Sequence, residues 1–384
     1  MAQLNLFNKE LIDDNPFVED ENVTYQQKLN LVDLFAGIGG FHYGVAASAS
    51  KYRFGVNPVL VSEIEQSCQE TYSVNFKTDV QGDINKINLG VYNNLVADIV
   101  TAGFPCQPFS NSGKKLGLSD PRGQFYFKIE EIIKHFRAKS FILENVPGIK
   151  TSGGGHYISK LSAIPTKIGS TMNFIEENLA KLKDYNVKWI ELDSSKFGSP
   201  QVRKRVYIIG LHKDYSKNID LMFNTYKDKS FISISEKEKI NSLELSKNQQ
   251  DNIRSFMIAP PSYMNGMRRV GNAYLCKGGN IGQAYHAFGK VPTLTKVWSK
   301  FLPIYFPGEN EIVPDLNIKD FYPNEYYGKG YIRKASIREA ARLQGFPDSF
   351  IPHSNKNKAY EHLGNAVNAK VVREISDNIL RYIL

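Results

Sequence analysis

Cysteine is scarce in this chain of 384 residues, which contains only Cys68, Cys106 and Cys276. Such a small, odd and widely spaced set excludes a disulfide framework and a cysteine-rich zinc site, and it indicates a reducing compartment. Long apolar runs are also missing, since none approaches the roughly 18 residues of a membrane-spanning helix. The first residues lack the basic start and apolar centre of a signal peptide. We therefore expect a cytoplasmic protein that binds no metal and does not enter a membrane.

Acidic residues are outnumbered by basic ones. The chain has 48 lysines and arginines against 39 aspartates and glutamates, which gives a formal net charge of +9. This excess favours a polyanionic partner, of which nucleic acid is the simplest. The hydrophobic fraction of 42% is that of an ordinary globular protein with a sizeable core. The length favours one large domain and one smaller domain.

A rigid loop presents one of the three cysteines. Residues 97–103 form an apolar, partly β-branched stretch that ends in glycine, a pattern typical of a buried strand. Cys106 follows between Pro105 and Pro108, which stiffen the backbone. A free cysteine is more often buried and structural. This setting instead favours a thiol displayed at the carboxyl end of a strand, where open α/β sheets place their chemistry.

A glycine-rich turn follows the first predicted strand, residues 29–35. Gly37, Gly39 and Gly40 stand between this strand and a helix, where free amide groups can face a ligand, although a plain tight turn gives the same pattern. Glu63 ends the second strand and Asp83 ends a short predicted third strand. Carboxylates at these positions suit ribose hydroxyls and an adenine amino group, or they are simply solvated.

A carboxylate and two arginines complete the polar set. Glu144 follows the buried strand 140–143, so that it and Cys106 face one crevice as a candidate catalytic pair. Arg203 and Arg205 alternate at the start of the strand 206–210, and we expect both side chains on one face of that strand, where they meet anions or a base. Helices are predicted near 125–137 and 172–182. Another, with a Ser336–Glu339 capping box, precedes a terminal helix that opens at Gly364.

These residues stand in a recognisable order. The chain resembles bacterial DNA (cytosine-5) methyltransferases of the restriction–modification type over nearly its whole length. The matching motifs are residues 35–40, Glu63 with Asp83, residues 105–107, residues 144–146, Gln201-x-Arg203-x-Arg205, residues 342–347 and residues 364–367, with the pair Thr293–Leu294 in the family's target-recognition domain. The resemblance implies an α/β fold: a Rossmann-like S-adenosylmethionine-dependent methyltransferase sheet with a smaller β-rich target-recognition domain.

Domain boundaries follow from composition and from this resemblance. We predict an N-terminal extension at 1–28, a surface segment or loose helix, and a catalytic domain at 29–212. A Lys- and Asn-rich target-recognition domain follows at 213–331, then a hinge and bracing helix at 332–361. A C-terminal helix at 362–384 completes the catalytic domain.

The resemblance also assigns roles residue by residue. The implied catalytic residues are Cys106, Glu144, Arg203 and Arg205. The implied residues for S-adenosylmethionine, whose product is S-adenosyl-L-homocysteine, are Phe35, Gly37, Gly39, Gly40, Glu63, Ile64, Asp83, Ile84, Pro105 and Asn365. The implied DNA contacts are Gln107, Ser110, Lys114, Arg122, Arg268, Arg269, Thr293, Leu294 and Lys296. Ile64 stands where some members carry an aromatic residue against adenine.

The activity implied is methylation of carbon 5 of a cytosine flipped out of double-stranded DNA, through an adduct with Cys106. We expect a monomer in the bacterial cytoplasm, at the nucleoid, with a cognate restriction endonuclease acting separately. Two alternatives remain open at this point. A transfer-RNA-methylating branch shares the Cys and Glu motifs, although its Cys-Phe-Thr signature is replaced here by Cys276-Lys277-Gly278. A DNA-binding regulator explains the charge but not the intact motifs.

Overall fold

The computed structural model describes ten stretches of the chain: residues 7–12, 25–105, 124–236, 243–247, 250, 257–264, 267–274, 281–295, 302–306 and 330–384. The chain divides into two compact units. Unit 1 comprises Met1–Asp193, Lys204–Thr225 and Val367–Leu384, and unit 2 comprises Ser194–Arg203 and Tyr226–Ala366. The chain therefore passes from one unit to the other four times, after residues 193, 203, 225 and 366.

The described strands are β1 (Phe7–Ile12), β2 (Gln27–Leu34), β3 (Phe54–Ser62), β4 (Ile99–Gly103), β5 (Ser140–Asn145), β6 (Tyr157–Ile158), β7 (Lys167–Ile168), β8 (Tyr185–Asp193), β9 (Gln201–Val202), β10 (Lys204–His212), β11 (Phe223–Tyr226), β12 (Met257–Met264), β13 (Met267–Tyr274), β14 (Ile281–His286), β15 (Val291–Pro292), β16 (Pro303–Phe306) and β17 (Tyr331–Lys334). The described α-helices are α1 (Gly40–Lys51), α2 (Gln66–Phe76), α3 (Gln124–His135), α4 (Ser170–Leu179), α5 (Ile337–Leu343), α6 (Lys356–Asn365) and α7 (Ala369–Ile383).

Unit 1 is built on a six-stranded sheet in the order β3–β2–β4–β5–β10–β8. The first four of these strands are parallel, and β10 runs antiparallel to both of its neighbours. Strands β4 and β5 are apolar and almost wholly buried, as expected where helices cover both faces of a parallel sheet. The predicted α/β class is confirmed. The carboxyl ends of the parallel strands share one edge, and β10 brings its amino end to that edge.

Helices α1 and α7 pack closely in unit 1 because α1 carries glycine where they meet. A Cβ at Gly40 would lie 2.7 Å from a methyl carbon of Val367, and one at Gly44 would lie 2.5 Å from Cβ of Val372. Any larger side chain on this face of α1 would push the two helices apart. The last helix of the chain is therefore part of the unit that contains the first strands of the sheet.

The predicted helices 125–137 and 172–182 correspond to α3 and α4 in unit 1, each displaced by one to three residues. Helix α3 places Tyr126, Ile129, Ile132 and Ile133 in the core at helical spacing, which buries one face and leaves the other to charged residues. Hydrophobic periodicity predicts which face of a helix is buried better than it predicts where the helix begins and ends, because helix ends fray.

Unit 2 is β-rich, as predicted. Its main sheet has the order β12–β13–β14–β16–β17, and β9 pairs with β15 in a separate parallel pair. Helix α5 begins with the predicted capping box, in which the Ser336 hydroxyl accepts from the Glu339 amide and the Glu339 carboxylate accepts from the Ser336 amide. Glu339 also forms a buried ion pair with Arg333, with 2.6 Å between Nη2 and Oε1.

Three local predictions are wrong. Asp83 does not end a third strand; only a single bridge joins Gln81 to Ser62, and Asp83 instead caps a 3₁₀ turn, Ile84–Lys86. Gly364 does not open the terminal helix, because it lies in α6, and α7 begins after its cap, Asn368. Residues 7–12 form strand β1, which pairs with β11, and are not part of a loose helix. None of the described helices is long and apolar enough to cross a membrane.

Candidate active site

The glycine turn after β2 combines a packed side and an open side. Phe35, Gly37 and Gly39 all have positive φ, of 53°, 54° and 88°. A Cβ at Gly39 would lie 2.1 Å from the ring of Phe76, so glycine is required there by packing. A Cβ at Gly37 would meet nothing within 4 Å. The backbone at Gly37 is therefore open to close approach by a ligand.

Glu63 holds this turn against the end of β3. Its Oε2 accepts from the Gly37 amide at 2.9 Å, and its Oε1 accepts from the Glu65 amide at 2.8 Å. A carboxylate has about four acceptor positions, so each oxygen retains capacity for a hydroxyl donor. Ile64 beside it is 74% exposed, an unusual position for an isoleucine and one suited to covering a flat apolar ring.

The segment around Asp83 lies against the same strand end. The Ser62 hydroxyl donates to the Gly82 carbonyl at 2.9 Å, and a Cβ at Gly82 would meet nothing within 4 Å. Asp83 Oδ1 accepts from the Asn85 amide at 3.0 Å. Ile84 is 3% exposed and belongs to the core. Its side chain is thus not available to a ligand, and the predicted role of Ile84 is limited to its backbone.

A buried polar network lies beneath the turn, and sequence reasoning missed it. Asp33 Oδ1 accepts from the Thr101 hydroxyl at 2.7 Å, and Asp33 Oδ2 accepts from the Tyr72 hydroxyl, which lies 2.9 Å from His42 Nδ1. Burial raises the pKa of Asp33 to about 7 and lowers the pKa of His42 to about 3. The imidazole therefore stays neutral, and the network fixes α1 and α2 to the sheet without buried positive charge.

The described chain that leads to Cys106 lies beside Glu144. In the register of β4 and β5, Gly103 is the partner of Glu144. The Asn145 side chain, which is 2% exposed, donates to the Phe104 carbonyl at 3.0 Å, and Pro105 after it is exposed. Asn145 was not singled out by the sequence, although its place directly after Glu144 in a shared motif was a usable signal. It ties the chain entering the loop to the strand that carries the carboxylate.

Glu144 and Arg205 form an ion pair across β5 and β10. Nε of Arg205 lies 2.9 Å from Oε1 of Glu144, and each side chain is 13% exposed. The antiparallel course of β10 allows this, because a residue that starts β10 stands beside one that ends β5. The result is a carboxylate with fixed orientation and a guanidinium close to it, both reachable from the sheet edge.

Arg203 does not share the surroundings of Arg205. It belongs to unit 2, is 2% exposed, and donates to the carbonyls of Leu294 (2.9 Å), Gly364 (3.3 Å) and Ala366 (2.7 Å). The expectation that both guanidiniums lie on one accessible face is therefore wrong. The geometry gives Arg203 a bracing position within unit 2 and leaves Arg205 as the arginine beside the carboxylate.

Thr293 and Leu294 contact the same segment of unit 2 that contains Arg203. Leu294 is 1% exposed, and its amide donates to Oε1 of Gln201 at 3.1 Å. The Thr293 hydroxyl donates to the Val202 carbonyl at 2.8 Å. The predicted DNA contact by the Leu294 side chain is wrong for this conformation, because that side chain is in the core of unit 2.

The remaining predicted residues divide into two groups. Asn365 is exposed at the end of α6, and the backbone of Arg268 and Arg269 lies in β13, opposite Tyr263 and Ser262 of β12. The residues whose predicted roles lie outside the described part of the chain are Cys106, Gln107, Ser110, Lys114, Arg122 and Lys296, together with the side chains of Arg268 and Arg269.

Comparison with known proteins decides the family. The family model described as C-5 cytosine-specific DNA methylase matches residues 29–381. The chain belongs to this family of DNA methylases. The methylase is 30% identical to the type II methyltransferase M.HpaII of Haemophilus parainfluenzae, over 97% of this chain and 98% of the relative. It is 29% identical to the type II methyltransferase M.BanI of Aneurinibacillus aneurinilyticus, over 92% and 96%.

A solved structure agrees on the fold of the methylase. The Entamoeba histolytica methyltransferase EhMeth aligns with a TM-score of 0.65 and 18% identity, over 94% of this chain and all of the other. At that identity the likeness concerns the fold alone. The predicted family and the predicted methyltransferase sheet are both confirmed.

Proposed function

We propose that this DNA (cytosine-5) methyltransferase works through Cys106 as nucleophile and Glu144 with Arg205 as the pair that holds the target base. The observation that carries the proposal is the Glu144–Arg205 ion pair, set beside the strand end that leads to Cys106. A carboxylate kept in place by a guanidinium fits one edge of a cytosine, which offers an amino donor next to a ring nitrogen.

The chemistry follows from the poor nucleophilicity of cytosine carbon 5. The Cys106 thiolate adds to carbon 6 and forms a C–S bond, which makes carbon 5 the nucleophilic end of an enamine. Glu144 accepts from the amino group with one oxygen, and its other oxygen, when protonated, donates to ring nitrogen 3, a bond that strengthens as negative charge develops on the ring. Once carbon 5 carries the transferred methyl group, water takes the proton from that carbon, and the electron pair of the C–H bond forms the carbon 5–carbon 6 double bond as the thiolate leaves. Carbon 6 is inaccessible in a stacked duplex, so the base must be flipped.

The residues around the glycine turn fit S-adenosylmethionine, which supplies the methyl group when bound. The open backbone at Gly37 accepts close approach, and Glu63 keeps acceptor capacity for ribose hydroxyls. Exposed Ile64 suits one face of adenine, with Asp83 at its amino edge. The adjacent carboxyl ends of β2 and β4 support this, because β4 ends three residues before Cys106 in the sequence.

We further propose that the enzyme modifies a specific duplex sequence in the bacterial cytoplasm, at the nucleoid, as a monomer whose cognate restriction endonuclease acts separately. The support is the similarity to proteins named as type II methyltransferases along nearly their full length. Sequence readout is assigned to residues 213–331, where Arg268, Arg269 and Lys296 are candidates for contacts to bases or phosphates.

One assay tests this function against methylation of transfer RNA. Purified enzyme is incubated with tritiated S-adenosylmethionine and either unmethylated phage DNA or transfer RNA, and the DNA is then sequenced after bisulfite treatment. We expect label in DNA, at cytosines of one sequence context, and none in RNA. Label in transfer RNA alone would overturn the DNA assignment.

A further inference from the structure

The segment that joins β5 to α4 contains a basic hairpin, and none of the roles described above involves its surface. Residues 150–169 contain Lys150, Lys160 and Lys167 and no aspartate or glutamate. Strands β6 and β7 pair within this segment, and we name residues 157–168 the basic hairpin. Lys150 is paired with Glu191 at 2.5 Å, whereas neither Lys160 nor Lys167 forms an ion pair with a residue that the structure describes.

The outer face of the basic hairpin is both apolar and cationic. In the register of β6 and β7, Ile158 is opposite Lys167, so both side chains lie on the same face. Ile158 is 66% exposed, whereas Ile168 in the neighbouring pair is 2% exposed and packs in the core. Tyr157 (42%) and Ile164 (52%) of the basic hairpin are exposed as well, so its surface carries more apolar area than a single scattered side chain would.

The basic hairpin is held firmly by a buried carboxylate. Glu176 of α4 is 3% exposed, and its oxygens accept from the Lys160 amide at 2.8 Å, from Nε1 of Trp189 at 2.7 Å and from the Ser159 hydroxyl. The Ala163 amide also donates to the Trp189 carbonyl at 2.8 Å. The exposed face is thus preorganised, which lowers the entropy that a partner's binding must overcome.

The basic hairpin lies beside β8, at the level of the strand residue that precedes Glu144. Ser162 of the hairpin forms a bridge with Trp189 of β8, which pairs with Ile208 of β10, and Ile208 pairs with Leu143 of β5. Three strand spacings of about 4.8 Å therefore separate Ser162 from β5, a distance of about 14 Å. Duplex DNA presented to Glu144 carries one phosphate per about 1.7 Å of axis, which puts flanking phosphates within reach of this part of unit 1.

We infer that the basic hairpin is an accessory DNA-contacting element, in which Lys160 and Lys167 bind backbone phosphates flanking the target cytosine and Ile158 packs against the sugar edge. The inference goes beyond the proposed catalytic function and rests on DNA being the substrate. Because phosphate contacts are independent of sequence, the basic hairpin adds affinity and orientation and leaves the choice of site to other residues.

Salt dependence of DNA binding tests this inference. The double variant Lys160→Ala with Lys167→Ala is compared with the wild type on a fluorescein-labelled duplex of random sequence, by anisotropy from low to physiological salt. Each lost phosphate contact flattens the slope of log K against log salt by about 0.9, so we expect the slope to flatten by about 1.8 for both. The variant Lys160→Gln with Lys167→Gln keeps polar side chains and must show the same change.

The matched control is the double variant Lys181→Ala with Lys183→Ala. These exposed lysines precede β8 in unit 1, at the opposite end of that strand, and their loss changes the net charge equally. We expect the control slope to equal that of the wild type.

The outcomes separate this inference from the proposed function. If the wild type methylates DNA, and all variants show wild-type melting curves and the same salt slope as the wild type, the inference is wrong and the proposed function stands. A change in oligomeric state on Ile158→Ser, without a change in salt slope, would make the face a protein interface and overturn it too. A wild type that fails to methylate DNA would overturn the proposed function.

Discussion

The two units use the residues of one arginine motif in opposite ways. In unit 1, Arg205 reaches the sheet edge and pairs with Glu144, where both side chains keep some exposure. In unit 2, Arg203 is buried and donates to the backbone carbonyls of three residues, Leu294, Gly364 and Ala366. One residue between them, Lys204, begins β10 and marks the change of unit. Arg205 thus keeps the exposure that a contact with substrate requires, whereas Arg203 is placed to stabilise unit 2.

The largest effect should come from the nucleophile on the unit 1 side. Replacing Cys106 by alanine removes the atom that bonds carbon 6, so we expect no detectable methyl transfer and no covalent trapping on DNA that contains 5-fluorocytosine. Binding of DNA and thermal stability should stay near wild type. Methylation near the wild-type rate would contradict covalent catalysis.

Glu144→Gln sharpens the chemical side of the comparison. Glutamine keeps the size of the side chain and an acceptor for Arg205, but it cannot transfer a proton to ring nitrogen 3 as negative charge develops on the ring. We expect kcat to fall by about 10²–10⁴-fold with little change in melting temperature. Steady-state kinetics and calorimetry measure the two quantities, and a purely structural role would instead lower both together.

Arg203→Met should lower the stability of the protein more than its kcat, the reverse of what we expect for Glu144→Gln. Its loss removes three hydrogen bonds to buried backbone carbonyls, and we expect the free energy of unfolding to fall by about 2–4 kcal/mol. Arg205→Met serves as the matched control: it removes the same group from a partly exposed position and should lower kcat far more than stability. Urea unfolding followed by circular dichroism gives the comparison, which fails if the two variants lose equal stability.

At the donor turn we expect a smaller effect, confined to binding. Glu63→Ala removes an acceptor for ribose hydroxyls and the bond to the Gly37 amide, and Asp83→Ala removes the proposed adenine contact. Each lost charge-assisted hydrogen bond should weaken S-adenosylmethionine binding by about 1.5–3 kcal/mol, measured by titration calorimetry. Unchanged affinity in both variants would show that the donor binds elsewhere.

The smallest effect concerns sequence choice in unit 2. If Arg268 or Arg269 is bidentate to a guanine, its replacement by alanine costs about 1–3 kcal/mol of discrimination and relaxes one base position in bisulfite sequencing. A phosphate contact would lower the rate at every site alike. Exchange of residues 213–331 with those of a relative must change the methylated sequence if readout lies there.

Residues at the ends of strands were the part of the candidate site that the sequence could predict. Phe35, Gly37 and Glu144 lie at strand ends that local patterns mark, so their positions followed from the order of strands and turns. The alternation of side chains along a strand predicts Arg203 and Arg205 on one face only if both lie in one continuous strand. In the structure β9 ends at Val202 and β10 begins at Lys204, so Arg203 lies between the two strands.

Other features depend on contacts between residues distant in sequence. The network around Asp33 depends on Thr101, 68 residues away, and no local period reports such a contact. The sequence pattern predicts a strand that ends at Asp83, whereas the structure forms only a single bridge there, between Gln81 and Ser62. Such features arise from tertiary packing, which overrides local preference.

The packing of α7 on α1 has a consequence for synthesis on the ribosome. The sheet strands of unit 1 are made early, but α7 follows the roughly 140 residues of unit 2 between Tyr226 and Ala366. At about 5–20 residues per second, the glycine-lined face of α1 waits roughly 7–28 s for the helix that covers it. Throughout that interval the nascent unit 1 leaves this face of α1 uncovered, and we expect the methylase to stay incomplete until its last helix emerges.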